Sequence, residues 1–411
     1  MLRTLKTVVA AAALLFAAAL GGARAADAPT ADDTAKFLAG MTPSANSPLM
    51  ALTRDPAWQR HAKFFDSAFG QLDQRQMSRV RAWSEANIAA PKPTMFYMFS
   101  GPDFLYANAF YPRATTYVLS ALEPPGSIPD LMKVPPGSIA ATLSDVEHSL
   151  GSILSFSFFI TRKMKVDLHE GELNGAMPLL YVFLARSGKT IKNVSSLALD
   201  AKGTAYFANE NPGGNAVRGV RIVFAGRDGV DRTLYYFSTD LSDSSVRVSG
   251  FLKFCATLAP GNSLIKSASY LMHSPSFSAV RDFILANSAA IIQDDSGIPL
   301  GYFGARKWRL FPFGRYAGPI AEFPNKYQES YAELFQRAQP LDFGIGYRWH
   351  SHESNLLLAV RSPDDGAATA DATSSTEVTA PPAPRPKRPR RPHPQQPLPW
   401  PEPPHGFLWF Q

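Results

Sequence analysis

Apolar and polar positions divide this chain into a short leader, a long patterned region and a polar tail. Arg3 and Lys6 precede an apolar run of 13 residues from Val8 to Leu20, followed by Gly21, Gly22 and the triplet Ala23-Arg24-Ala25. A charged start, a short apolar stretch and a small-residue A-x-A site make a secretory signal peptide over residues 1–25, and the run falls short of the roughly 20 residues that span a bilayer. The mature chain is therefore expected to begin at Ala26, with no cysteine near the cut to carry a lipid.

Residues 32–88 read as a helical N-terminal segment, with Trp58, Phe64, Phe65, Phe69 and Leu72 at mixed three- and four-residue spacings. The aromatic-rich run 95–99, closed by Ser100-Gly101-Pro102, suits a buried strand entering a turn. A helical turn over 103–110 and an extended stretch over 115–122 follow. Within 136–166, Leu143, Val146, Leu150, Ile153, Leu154 and Phe158 recur at helical spacing. Neither this helix nor the apolar run 177–185 is long enough to cross a membrane.

From 194 to 237 the period shortens to four strands, with turns at 200–203, 211–214 and 226–229, predicting an antiparallel meander. Beyond it the pattern predicts a helix over 246–258, a strand over 264–272 and a helix over 278–287. A hairpin over 289–303, turning at Asp294-Asp295-Ser296-Gly297, comes next. An extended 308–316, a helix over 325–338 and a last strand over 355–360 complete the region. The sum is an α/β fold of the mixed α+β kind, a mixed sheet with packed helices, over residues 26–361. Tyr97-Met98-Phe99-Ser100 and Tyr235-Tyr236-Phe237-Ser238 both end strands and both precede an aspartate and a helix, which raises two similar halves, about 90–190 and 191–361.

Past Arg361 the composition changes. Residues 364–380 are small and polar, and 381–404 are dominated by proline with Arg385, Lys387, Arg388, Arg390 and Arg391 interspersed. Such a stretch buries no core and is expected to be disordered, sampling polyproline II. Its basic cluster is suited to an anionic polymer or lipid surface, or to a protein partner in the cell envelope. Elsewhere the composition is that of a globular protein, 45% hydrophobic and 12% aromatic against 18% charged. Cys255 is the only cysteine, so the fold forms without an intramolecular disulfide. The net charge is +7, but Arg3, Lys6 and Arg24 carry three of those charges and leave with the leader, so nucleic-acid binding is not expected.

Four clusters bear on chemistry. His273 with the adjacent carboxylates Asp294 and Asp295 is the catalytic candidate, since paired acids serve as acid and base when their surroundings separate their pKa values. Ser100 and Asp103 follow a buried strand, where open α/β sheets place ligands, although Asp103 after Pro102 also suits a helix cap. His350 and His352 lie on one face of an extended segment and could start a metal site that lacks a third ligand. Asp167-Leu168-His169-Glu170-Gly171-Glu172 has Leu173 where a zincin helix needs its second histidine, and reads as a solvated loop.

Ser187-Gly188-Lys189-Thr190 imitates the end of a P-loop but has Phe183 where the first glycine belongs. No nucleophile elbow occurs, and Cys255 reads as a small buried hydrophobe. The sequence names no cofactor. It points to a periplasmic or secreted protein without a transmembrane helix in its mature chain, foremost a binding or envelope-associated protein. A periplasmic hydrolase using His273, Asp294 and Asp295 is the alternative, and a structural partner recruited through the tail a third.

Overall fold

The computed structural model describes residues 28–155, 173–207, 213 and 216–362. The leader, the 167–172 cluster, Phe158, most of the turn at 211–214 and the proline-rich tail lie outside the described residues. Helix α1 (Ala31–Leu38) starts on Thr30, whose hydroxyl accepts from the Asp33 amide at 3.0 Å. Helix α2 (Pro56–Leu72) starts on Asp55, which accepts from the Ala57 amide at 2.7 Å, with proline in the first turn where its missing N–H costs nothing. One π-helical turn, Asp73–Met77, joins it to α3 (Ser78–Asn87). The helical N-terminal segment is thus interrupted over 39–55, because Gly40, Pro43 and Pro48 cannot continue α1.

Strand β1 (Thr94–Tyr97) leads through α4 (Phe104–Phe110) to β2 (Thr116–Ala121), parallel to it. Helices α5 (Ile139–Ser155) and α6 (Met177–Arg186) follow, then β3 (Thr190–Leu199), β4 (Ala205–Phe207), β5 (Val217–Ala225) and β6 (Asp231–Ser238). These four strands are not a simple meander: β3 pairs with both β4 and β5, which leaves β4 on the outer edge. The predicted helix over 246–258 is two short ones, α7 (Asp243–Val246) and α8 (Phe251–Thr257), parted at Gly250. Gly250 has φ +76°, and a Cβ there would sit 2.0 Å from the Asp200 carbonyl oxygen.

Strand β7 (Gly261–Ile265), α9 (Ser278–Asn287), β8 (Ser288–Gln293), β9 (Trp308–Gly314), α10 (Glu329–Phe335) and β10 (Asn355–Arg361) complete the described fold. The predicted strand over 264–272 ends at Ile265, because the next residues turn into the left-handed region. No hairpin forms around Asp294: β8 pairs with β7 and β10, and the chain beyond the turn runs into a short 3₁₀ segment, Leu300–Tyr302.

The ten strands form one sheet in the order β4-β3-β5-β6-β2-β1-β7-β8-β10-β9. Its centre, β6-β2-β1-β7-β8, is parallel, and both flanks are antiparallel. β1 and β7 are buried along their whole length, as central parallel strands covered on both faces must be. Alternation sorts their side chains into two cores. Met95, Tyr97, Tyr117 and Leu119 join Phe65 of α2, Leu150 of α5 and Leu180 of α6. Phe96, Met98 and Val118 join Phe254 and Cys255 of α8 with Val280 and Ile284 of α9. The two strand ends that share the aromatic-serine pattern, β1 and β6, are separated by β2 in this sheet. Among the described residues no helix is long and apolar enough to cross a membrane.

The order of strands places a switch point at β1 and β7. From β1 the chain crosses to β2 on one side, whereas from β7 it crosses to β8 on the other, so the loops leaving β1 and β7 diverge from neighbouring carboxyl ends. Leu264, fully buried in β7, tests this centre. Leu264→Ala should lower stability by about 2–5 kcal/mol, read as a lower urea midpoint with unchanged slope.

Candidate active site at the carboxyl edge of β1, β7 and β8

Beyond β1 the chain turns through Phe99 at φ +63° and Gly101 at φ +59° to reach Asp103, the cap of α4. Asp103 is 1% exposed and uses both carboxylate oxygens. Its Oδ1 accepts from the Tyr106 amide at 3.0 Å, and its Oδ2 accepts from the Tyr97 hydroxyl at 3.0 Å. Oδ2 also lies 3.0 Å from the ammonium of Lys266, the first residue past β7 and only 2% exposed. The Lys266 Nζ stands 3.9 Å from the centre of the Tyr106 ring. Burial pushes the Lys266 pKa down, against the charges of Asp103 and Asp294, which hold it up. The cap reading of Asp103 and its place in a charged cluster therefore both hold. Lys266 was not singled out from sequence, and the available signal was a lysine ending the apolar stretch Leu264-Ile265.

The segment after Lys266 is unusual in its backbone. Ser267, Ser269 and Tyr270 have φ between 50° and 53°, and with Phe99 they are all the positive-φ residues other than glycine among the described residues. Each such residue costs on the order of 1 kcal/mol or more and persists only where its surroundings enforce it. Here they do. The Ser267 amide donates to Asp294 Oδ2 at 2.9 Å, and the Ala268 amide donates to Ser296 Oγ at 2.8 Å. The Tyr347 hydroxyl donates to the Ser267 carbonyl at 3.0 Å and lies 2.9 Å from Ser269 Oγ, which donates to it. The Tyr270 hydroxyl donates to Asp295 Oδ2.

Asp294 and Asp295 stand at the end of β8, both buried. Asp294 Oδ1 accepts from the hydroxyl and the amide of Ser296, and the Gly346 backbone closes on the other oxygen: a Cβ at 346 would lie 1.8 Å from Asp294 Oδ2. Asp295 Oδ1 accepts from the side-chain amide of Asn355 at 3.0 Å. Burial, reinforced by the charge of Asp295, raises the Asp294 pKa to about 7, and burial raises that of Asp295 as well. His273 lies in the 3₁₀ turn Leu271–His273, not at a strand end, with its ring 5.1 Å from that of Tyr270. Burial, then the charge of Lys326, depresses its pKa to about 4. Among the described residues the buried Ser267 Oγ, His273 Nε2 and Asn355 Oδ1 of this region lack a hydrogen-bond partner, although the His273 ring lies against the backbone of Gly297 and Asp295. Unpartnered buried polar atoms mark a place where a further polar group belongs.

The fold thus brings Asp103 and Asp294 to Lys266, with Asp295 and His273 beyond them on the same side of the sheet. Ser100 has a different part: its hydroxyl donates to the carbonyls of Gly101 at 2.7 Å and Ser120 at 3.3 Å, so it fastens the loop to β2. The rings of His350 and His352 stack 5.6 Å apart, and His352, 75% exposed, pairs with Glu353 at 3.3 Å. No group of three or more metal-ligating side chains occurs among the described residues, so these two imidazoles have no third ligand there. Cys255 is buried, and burial pushes its thiol pKa far up.

Comparison with protein families, with curated proteins and with solved structures finds no match to this chain. Function is therefore argued from the site itself.

The two perturbed groups have opposite linkage to pH. Between about pH 4 and 7 folded Asp294 keeps a proton that the unfolded chain has released, so its contribution to stability falls as pH rises, by up to about 1.4 kcal/mol per pH unit. Between about pH 4 and 6.5 unfolded histidine binds a proton that folded His273 rejects, so its contribution grows as pH rises. Relative to the parent, Asp294→Asn should make stability climb more steeply from pH 4 to 7, and His273→Gln should make it fall more steeply from pH 4 to 6.5. Urea midpoints at half-unit intervals decide this, and three parallel profiles would contradict both assignments.

Proposed function

We propose that this chain is an exported protein that binds a small polar ligand at the switch point between β1 and β7. The observation that carries the reading is a coincidence of place. The backbone strain of Phe99, Ser267, Ser269 and Tyr270, the ion pair of Lys266 with Asp103 and the unpartnered Ser267 Oγ and His273 Nε2 all gather at one carboxyl edge. The leader at residues 1–25 supports export, and the basic proline-rich tail supports contact with an envelope surface or a partner protein.

Ser267 separates a functional role from a structural one. Its hydroxyl bonds to nothing, and its φ of 53° suits glycine better than serine. Ser267→Gly should leave stability unchanged or raise it by up to about 1 kcal/mol. A thermal-shift panel of neutral sugars, amino acids and dicarboxylates should include a ligand that raises the melting temperature of the parent and shifts Ser267→Gly far less. Equal shifts in both proteins, or no shift with any of the three classes, would refute the assignment.

A second reading, hydrolysis, is favoured by one observation: Asp294 and His273 are shifted in opposite directions. Near pH 5.5 Asp294 carries a proton to give and His273 is neutral and able to take one, the arrangement of a general acid and a general base. Fluorogenic ester, glycoside and phosphoester substrates test it. Turnover of one of them should fall by at least about a hundredfold in Asp294→Asn and in His273→Gln. Equal turnover in parent and variants excludes this pair.

A further inference from the structure

A cavity of about 560 Å³ opens elsewhere in the molecule, between the ends of α2 and α6, the length of α4 and the turn joining β5 to β6. Its volume is that of an ordinary small-molecule site. Phe69, Leu72, Met77 and Leu105 furnish apolar wall. Four basic side chains, Arg81, Arg186, Lys189 and Arg227, face one carboxylate, Asp73, and Arg81 takes that carboxylate at 2.7 Å.

The other three cations differ in how far they are satisfied. Arg186 is fixed in place: its Nε donates to the Ala39 carbonyl at 2.8 Å, its Nη1 donates to Asp66 at 2.6 Å, and its guanidinium lies 5.3 Å from the centre of the Phe69 ring. Its Nη2 is buried and has no partner. The hydroxyl of Ser187 and the side-chain oxygen of Asn108, on the same wall, are buried and unpartnered too. Lys189 and Arg227 have no side-chain hydrogen bond or ion pair among the described residues. Burial, then the neighbouring charge of Arg232, pushes the Lys189 pKa down; Asp228, itself held by Arg232, opposes this in part, and Arg227 adds to it, so the cavity keeps an excess of positive charge. The carboxyl end of α6 does not cancel this field, because the amides of Ser187, Gly188 and Lys189 already occupy its last carbonyls. A bound anion would neutralise the cluster and satisfy Arg186 Nη2, while the apolar wall calls for a hydrocarbon body.

We infer that this cavity binds an amphiphilic anion, a hydrocarbon chain ending in a carboxylate or a phosphate, with its head on Arg186, Lys189 and Arg227 and its chain along Phe69, Leu72, Met77 and Leu105. The segment Ser187-Gly188-Lys189 contributes here in a chain order opposite to that of a P-loop, leaving a helix and entering β3, so a nucleotide triphosphate cradle is not implied. The inference stands independently of the carboxyl-edge site.

Calorimetric titration of the mature full-length chain tests it, with dodecanoate and dodecyl phosphate below their micelle thresholds set against dodecanol, acetate and inorganic phosphate. At least one of the two amphiphilic anions should bind, and which one identifies the head group. Dodecanol and the two small anions should each bind at least about tenfold more weakly. In the double variant Lys189→Gln/Arg227→Gln, whose lost groups hold no hydrogen bond or ion pair among the described residues, affinity for that anion should drop about ten- to a hundredfold with the melting temperature unchanged. The inference is overturned if neither amphiphile binds, if dodecanol binds equally well, if inorganic phosphate matches dodecyl phosphate, or if the double variant keeps full affinity.

Discussion

A charged lysine held at 2% exposure must be compensated where it stands, and the ion pair of Lys266 with Asp103 is the constraint around which this fold is arranged. The pair joins the two strands at which the sheet changes direction. To meet Lys266, Asp103 must sit at the head of α4, which in turn demands the tight passage through Phe99 and Gly101 and the hydroxyl of Tyr97 on the same carboxylate. To keep the ammonium between Asp103 and the Tyr106 ring, the chain after β7 must bend away at once, and it does so through three left-handed residues. Removing either partner would leave the other buried without the ion pair that compensates it best, a costly change in a protein interior.

The carboxylates at the end of β8 complete this arrangement. Asp294 holds the strained loop through the amide of Ser267, and Asp295 holds it through the hydroxyl of Tyr270. Two adjacent carboxyls, Asp294 and Asp295, cannot both be ionised cheaply in a buried place, and a proton on Asp294 near neutral pH relieves the excess. The same crowding that the fold must tolerate gives the edge a group able to donate a proton and a histidine able to accept one. Strain, burial and acid–base capacity here have one origin.

Much of the frame was legible in the sequence. Helix 278–287 and strand 355–360 follow their apolar patterns almost to the residue, and the mixed α/β architecture follows from the alternation of such segments. What was not legible depends on backbone choices that composition does not announce. Ser-Ala-Ser-Tyr carries no glycine to signal positive φ, so 264–272 read as one strand. Asp-Asp-Ser-Gly reads as a hairpin turn because it is a tight turn locally, closed by the Gly297 amide on the Asp294 carbonyl; only the pairing of β8 with β7 and β10 shows that no strand returns.

The candidate site was partly visible for a similar reason. His273, Asp294, Asp295 and Asp103 stood out as polar residues at the ends of apolar runs, whereas Lys266 was hidden inside a predicted strand. The paired histidines at 350 and 352 stack on each other, and among the described residues no third metal-ligating group joins them. The cationic cavity was beyond reach, since Phe69, Leu105, Arg186 and Arg227 are far apart in the chain and meet only through the packing of helices on the sheet.

The central claim is that Lys266 and Asp103 act as one unit at the switch point, and a double-mutant cycle measures this directly. Lys266→Met, Asp103→Asn and the double variant would be unfolded in urea, with asparagine retaining the cap of α4. Each single substitution should cost about 3–5 kcal/mol, and the double variant should be more stable than the sum of the two costs implies by about 1–3 kcal/mol. Strictly additive losses would show that the two charges do not depend on each other, and the account given for this edge of the sheet would be wrong.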